Sequence, residues 1–507
     1  MVRALVHLCR RWPAVIGLVS LLFAGSASAF PFAPLRMGGT PFEGTADGEA
    51  SALWYNPAAL VLSKDIRFSL FGNARLMRGE IDRESICPST GAPGACGGAT
   101  GFAPQSVQRD YVTGLGAAVF AINDSVSLAF GVVTPWLSCP TGASCPNANR
   151  PPSSYLGASE SFTTIYYSLA AALRISSKLV VGGGISIVDA TARMSFDRDT
   201  ALDGGSATTA TAGHENPNYA ARVSASGDGG RFWESRVGSL PKPSGVATTL
   251  GFLIQPTPRL VFGASWQRVF ATSPVFTSAS PLGATVTAPP AAGDPCHGPC
   301  TGGDAILYSL PDVWQTGGRF IIYPDKLELE ASARVITYGG YSRTDPTQLG
   351  VVVQLAGAPV SQAKTPASLP MDLGLQPEFA AEVGLRWQAR PSLRIGGSLV
   401  LASSAVDSAR VSATAFDGNK IDGMLGAQWQ PVRWLRLVAA YGLTWMMPVT
   451  GNGQDPQATV RCVDSQYSVD ACADTVAGRG LPSNAGTYSA LIHHVTLGAE
   501  FQIDIHR

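Results

Sequence analysis

Val495-Thr496-Leu497-Gly498-Ala499-Glu500-Phe501-Gln502-Ile503-Asp504-Ile505 is apolar at every odd position and polar or glycine at every even one. Successive side chains of a strand point to opposite faces, so one face of this segment is greasy and the other wet. A strand of a soluble sandwich alternates in the same way over a shorter run. The pattern recurs upstream. Ile66, Phe68 and Leu70 alternate with Arg67, Ser69 and Phe71, and Leu327 to Val335 alternates apolar residues with Glu328, Glu330, Ser332 and Arg334. Phe379 to Gln388 and Leu435 to Thr444 repeat it, with Arg386 and Arg436 on their wet faces.

The connections between these segments come in two lengths. Ile122-Asn123-Asp124, Ser176-Ser177, Pro256-Thr257-Pro258, Pro324-Asp325, Arg390-Pro391 and Gln430-Pro431 are turn-forming clusters of a few residues. Long connections lie near 79–107, 137–158, 197–242, 272–310, 343–375, 406–417 and 448–488. Short and long alternate along the chain, as in outer-membrane barrels with short periplasmic turns and long outer loops. Fourteen strands are predicted at 64–78, 108–121, 125–136, 159–174, 178–196, 243–255, 258–271, 311–323, 326–342, 376–389, 392–405, 418–429, 433–447 and 489–504. Tryptophans 136, 266, 314, 387, 429, 434 and 445 fall near strand ends, where amphipathic rings meet the lipid–water boundary.

Composition agrees with this reading. The 507 residues hold 36 basic and 36 acidic side chains, and the net charge of +0 argues against nucleic acid as a partner. Charged residues make up 14% of the chain, against about 25% in soluble domains. Past residue 29 no stretch is apolar enough for a spanning helix. A charge-poor chain without apolar 20-mers fits a transmembrane barrel, although a large secreted β-protein has a similar composition.

The first 29 residues read as a secretory signal: Arg3, Arg10 and Arg11, the apolar run Ala14 to Gly25, then Ala27-Ser28-Ala29 before a mature start at Phe30. Cys9 leaves with it. The remaining eight cysteines form short pairs: Cys87 with Cys96, Cys139 with Cys145, Cys296 with Cys300, and Cys462 with Cys472. Every pair sits in a long connection, and all four therefore fall on one side of the membrane. Disulfides are expected in such a compartment. The gap between Cys296 and Cys300 is tight, and geometry could forbid that bridge. Cys296-His297-Gly298-Pro299-Cys300 resembles a weak metal pattern, but no second cluster stands near it, so no metal and no cofactor are predicted.

Residues 30–63 lack alternation, and the lumen of a barrel this size can be plugged by such a segment. The expected organisation is a signal peptide at 1–29, an N-terminal hatch at 30–63 and a transmembrane antiparallel all-β barrel at 64–507.

Three stretches resemble the FadL/TodX outer-membrane transporters of long-chain fatty acids and hydrocarbons. Asn56-Pro57-Ala58 ahead of the first strand is similar to the family's hatch signature. Phe32, third after the cleavage point, is similar to the aromatic near its mature N-terminus. Leu310-Pro311-Asp312-Val313-Trp314 resembles its lead-in to the eighth strand, which is also the eighth strand in the count above. The chain departs from many barrels in ending Ile505-His506-Arg507 rather than on an aromatic, and four cysteine pairs are not a general family trait.

The resemblance implies fourteen strands, an N-terminal plug and uptake of hydrophobic compounds across the outer membrane by passive diffusion, with sideways exit. The implied partners are a long-chain fatty acid or hydrocarbon and the surrounding lipid and lipopolysaccharide, and the protein is expected to be a monomer. Phe30 and Phe32 are expected to close an apolar site, with Leu310 and Trp314 at its edge. Burial of methylenes, worth about 0.8 kcal/mol each, would drive capture. A carboxylate head group would want an inward-facing cation, and strand parity offers Arg319 and Arg334. Counting back from Pro324-Asp325 sets Arg319 across from Glu330, where a structural ion pair is the plainer role. Without a dedicated cation the ligand is left open to an uncharged hydrocarbon. A general porin, an adhesive or structural barrel, and a lipid hydrolase are the rivals. His493 and His494 are present, but no motif places a nucleophile beside them, so no enzyme is expected.

Overall fold

The computed structural model describes residues 41–83, 104–137, 159–196, 233–237, 245–271, 280–287, 304–308, 311–338, 350–354, 368–372, 375–411, 416–451 and 486–503. Phe30, Phe32, Leu310 and the signal region lie outside them. So do the cysteines of all four expected bridges: Cys87 and Cys96, Cys139 and Cys145, Cys296 and Cys300, and Cys462 and Cys472.

Fourteen antiparallel strands follow one another around a ring: β1 (Ile66–Arg83), β2 (Gln105–Asn123), β3 (Val126–Leu137), β4 (Ser159–Arg174), β5 (Leu179–Phe196), β6 (Gly245–Thr257) and β7 (Leu260–Ala271) make the first half. β8 (Asp312–Tyr323), β9 (Leu327–Thr337), β10 (Glu378–Arg390), β11 (Leu393–Ala402), β12 (Lys420–Val432), β13 (Leu435–Gly451) and β14 (Gly486–Ile503) complete it. The ring closes where β1 pairs with β14 from Ile66↔Ile503 to Arg83↔Gly486. A closed sheet satisfies every ladder hydrogen bond internally and leaves no edge, the condition for crossing a bilayer with strands.

The two faces separate as the alternation predicts. On β14, Thr496 and Glu500 are buried while Val495, Leu497 and Ile503 are exposed. Leu425 on β12 is 71% exposed and Leu169 on β4 57%, values that make sense only against lipid. Trp387, Trp429, Trp434 and Tyr323 form an exposed aromatic band at the short-turn end.

The strand boundaries differ from expectation in both directions: β9, expected at 326–342, ends at Thr337, and β11, expected at 392–405, ends at Ala402. β1 runs to Arg83 and β13 to Gly451, several residues past their predicted ends. Backbone pairing continues beyond the lipid belt, where the outward face no longer has to be apolar. The last short turn is Arg433-Trp434, not Gln430-Pro431. Pro431 sits instead at a register shift between Trp429 and Val432, where a residue lacking N–H is tolerated.

The long connections also contain strands that alternation missed. Trp233–Val237, Ser280–Thr287, Asp304–Tyr308, Gly350–Gln354 and Ser368–Asp372 pair one with the next in that order, and the series grows from the outer end of β5 at Phe196↔Trp233. Gly350-Val351-Val352-Val353-Gln354 carries no polar–apolar alternation for a sequence reading to detect.

Candidate functional site

Residues 41–62 form a buried segment with one turn of helix, α1 (Ala52–Tyr55), and a 3-10 helix, Pro57–Leu62. Asn56 explains the break between them. Proline at the next position disfavours a helical backbone at Asn56, which is extended, and its side chain caps the new helix by accepting from Ala58 N at 3.1 Å. The carboxamide then donates to Thr45 O at 2.7 Å and to Phe252 O of β6 at 3.0 Å. Asn56 thus ties the segment to itself and to the wall, and it is fully buried.

The segment reaches residues on all sides of the ring. Leu53 approaches Gly131 of β3, Trp54 packs edge-on against Tyr166 of β4 at 5.1 Å, and Phe42 meets Gly396 of β11. Tyr55 O accepts from Ser265 of β7 and, at 2.8 Å, from Gln315 of β8. Only a segment inside the ring can touch strands so widely spaced around it. At Gly182 of β5 and Gly251 of β6 a Cβ would overlap the Ala58 amide nitrogen and the Asn56 side-chain oxygen. The missing side chains create the groove in which Asn56-Pro57-Ala58 lies.

The lumen is polarised. Toward β2–β7 it is apolar: Leu53 and Leu60 join Leu115, Val133, Tyr166 and Leu253 in one buried cluster. Toward β8–β14 and β1 it is ionic. Asp47 pairs with Arg386 of β10 and, at 3.4 Å, with Arg319 of β8. Glu49 lies 3.0 Å from Arg436 of β13, 3.3 Å from Arg67 of β1 and 4.0 Å from Arg394 of β11. Burial alone would raise the Glu49 carboxyl, but Arg436, Arg67 and Arg394 outweigh it and hold the group at about 2 instead of 4.5.

Arg319 stands opposite Glu330, as counted from the turn. Its ionic partner among the described residues is nevertheless Asp47, because Arg386 takes Glu330 from the neighbouring strand. Arg334 faces inward with Glu43, Tyr55 and Glu382 around a small polar cavity between segment and wall. Trp314 departs from its expected place at the edge of an apolar site. It is 44% exposed on the outward face, stacked on Trp266 at 5.3 Å, while its neighbours Val313 and Gln315 point inward. Alternation forbids it both places, and the interfacial role is the one it fills.

Asp47, Glu49, Arg386 and Arg436 were not singled out from sequence. Parity does place both arginines on the wet face, but nothing local names Asp47 and Glu49 as their partners, which lie more than 300 residues away. Beside the apolar half of the lumen the wall is irregular: β3 slips register against β4 between Val133 and Trp136, at Thr134-Pro135.

With this geometry in view, the comparisons agree. A family model described as outer membrane protein transport protein (OMPP1/FadL/TodX) matches residues 37–477, and the chain belongs to this family of outer-membrane β-barrel transporters of hydrophobic compounds. A Pseudomonas aeruginosa FadL homologue shares the fold at a TM-score of 0.60 and 13% identity, over 95% of this chain and 100% of that one. The Pseudomonas putida toluene transporter TodX does so at 0.56 and 13%, with the same coverages. The CymD monoaromatic hydrocarbon channel gives 0.51 and 12%, over 92% and 96%. No curated protein sequence matches the chain.

Proposed function

We propose that this protein admits long-chain fatty acids or related hydrophobic compounds through the outer membrane by passive diffusion, with residues 30–63 as the plug that must yield. The polarised lumen is the observation that carries this reading. Its apolar half is where an alkyl chain would bury methylenes, each worth about 0.8 kcal/mol, once the segment yields. The inner segment blocks a water-filled pore. The register slip at Thr134-Pro135 borders the apolar half and supports sideways exit through β3, since a proline there removes a ladder hydrogen bond.

In the same reading the leader is removed before Phe30, and Cys87 is bridged to Cys96, Cys139 to Cys145 and Cys462 to Cys472 in the outer loops, the closely spaced Cys296 and Cys300 being left open. N-terminal sequencing and thiol titration of the mature protein test both. The transport reading is tested by uptake of labelled oleate and toluene in cells with and without the protein. Uptake of at least one must depend on it, and must fall when residues 30–63 are deleted. Equal uptake in all strains would defeat the proposal, as would a large steady conductance in a planar bilayer.

A further inference from the structure

The short-turn rim of the barrel carries a ring of unpaired positive charge. Lys64 precedes β1, and Lys178, Arg259, Lys326, Arg390 and Arg433 stand at the β4–β5, β6–β7, β8–β9, β10–β11 and β12–β13 turns. All six are exposed, and none lies within 4.0 Å of a carboxylate among the described residues. Arg174 is half-buried beside them, its Nε donating to Asp124 O of the β2–β3 turn at 3.1 Å. Asp65, Asp124 and Asp325 are the acids on the described part of this rim. The outward face at the other end of the wall is acid-rich instead. There Glu80, Asp82 and Asp189 accompany the pairs Arg78–Asp110, at 2.6 Å, and Arg268–Asp312, at 3.9 Å.

The arrangement decides what such a ring can hold. Neighbouring strands lie about 4.8 Å apart and tilt, so successive cation-bearing turns stand roughly 10–13 Å from one another along the rim. That exceeds the screening length of about 8 Å at physiological salt, so each cation acts on its own. A folded acidic partner would meet cations gathered on one sector, whereas these are spread one per turn around the circumference. They also lie directly beyond the exposed aromatics Tyr323, Trp387, Trp429 and Trp434, which mark the level where hydrocarbon meets head groups. Basic side chains beside such a band lay their stems along apolar surface and hold their charges at the depth of the phosphates. Many small, separate anions at one depth is the chemistry of a phospholipid leaflet.

We propose that the short-turn rim is a binding surface for anionic phospholipid, with one phosphate head group at each cation-bearing turn. Lysine and arginine donate charge-assisted hydrogen bonds to phosphate oxygens. A zwitterionic head group offers the same phosphate but brings its own ammonium to the site, and an anionic one does not. A basic side chain near an anionic membrane surface strengthens association about fivefold, equivalent to about 1 kcal/mol. The ring therefore gathers anionic lipid in the leaflet on the short-turn side and fixes the depth at which the barrel sits. This inference concerns the outside of the wall. The lumen and the inner segment take no part in it, and it does not rest on the transport reading.

The test uses the full mature chain in nanodiscs of equal parts phosphatidylglycerol and phosphatidylethanolamine with identical acyl chains. Native mass spectrometry counts the lipids that stay on the protein when it is released. The parent is expected to retain the anionic lipid roughly fivefold over the zwitterionic one. Lys178→Gln, Arg259→Gln, Lys326→Gln, Arg390→Gln and Arg433→Gln, made together, are expected to bring that ratio close to one. Exchanging lysine for arginine and arginine for lysine at the same five positions keeps the charge and is expected to keep the ratio. All five side chains are exposed, and the heat-induced gel shift checks that both variants are folded. A salt series on the parent needs no variant: screening shortens to about 3 Å at 1 M, and the ratio should fall with it. Equal retention of the two lipids by the parent, an unchanged ratio in the glutamine variant, or a lost ratio in the exchanged variant would each overturn the proposal. Retention governed by acyl chains alone gives the first of these results, and a rim that serves an acidic protein instead gives the second.

Discussion

Replacing Asn56 by alanine should free the inner segment while leaving the barrel intact. The side chain makes three hydrogen bonds in a fully buried position, donating to Thr45 O and Phe252 O and accepting from Ala58 N. Removing it strands those three backbone groups. A buried polar group left unpaired costs about 1–3 kcal/mol, and loss of a helix N-cap typically about 1 kcal/mol. Partial relaxation and water entry reduce the sum, so about 3–5 kcal/mol of docking free energy should disappear. At about 1.4 kcal/mol per tenfold, local opening becomes about a hundred- to several thousand-fold more frequent. Asn56→Asp should be at least as damaging, because a carboxylate oxygen would replace the donor facing the Thr45 and Phe252 carbonyls. Hydrogen exchange at 52–62 measures the opening, and the heat-induced gel shift of the barrel reports on the wall. If both variants exchange like the parent, or if Asp is tolerated where Ala is not, the hydrogen-bond account of Asn56-Pro57-Ala58 is wrong.

Three further outcomes follow from the same geometry. Arg386→Gln leaves Asp47 and Glu330 buried without their shared cation and should destabilise docking by about 3–5 kcal/mol, while Lys326→Gln should be near neutral; thermal unfolding followed by protease sensitivity of the segment separates them. The Glu49 carboxyl is held below its ordinary range, so its stabilising contribution is complete above about pH 4.5 and is lost as pH falls toward about 2. Cleavage of the segment by pepsin should therefore rise across that window in the parent, and Glu49→Gln should cleave readily throughout it. Gly251→Val would drive a side chain into the Asn56 carboxamide and should expel the segment as effectively as Asn56→Ala, a result read in the same exchange experiment.

The wall of this protein was legible because lipid imposes a rule on every spanning strand. Each must be apolar outside, and side chains alternate, so Val495 to Ile505 reveals its own two faces and the turn spacing reveals the count. The rule is local, and a local rule survives in one-dimensional text. It weakens where lipid ends: the outer reach of β1 alternates in the opposite sense, with Met77 and Ile81 inward and Arg78, Glu80 and Asp82 outward, and the short strands such as Gly350–Gln354 are paired without alternating. Asn56-Pro57-Ala58 could be picked out by its position ahead of the first strand, but not what it holds. Its groove is an absence, the missing side chains of Gly182 and Gly251, and absence has no pattern in a chain with 56 glycines. The ionic half of the lumen was beyond sequence for a related reason. Arg386 and Arg436 were visibly inward, yet whether an inward arginine awaits cargo or answers Asp47 or Glu49 depends on where a folded-in segment comes to rest. Closure of the ring decides that, by bringing residues hundreds of positions apart within 4 Å in a space where an unpaired charge is costly.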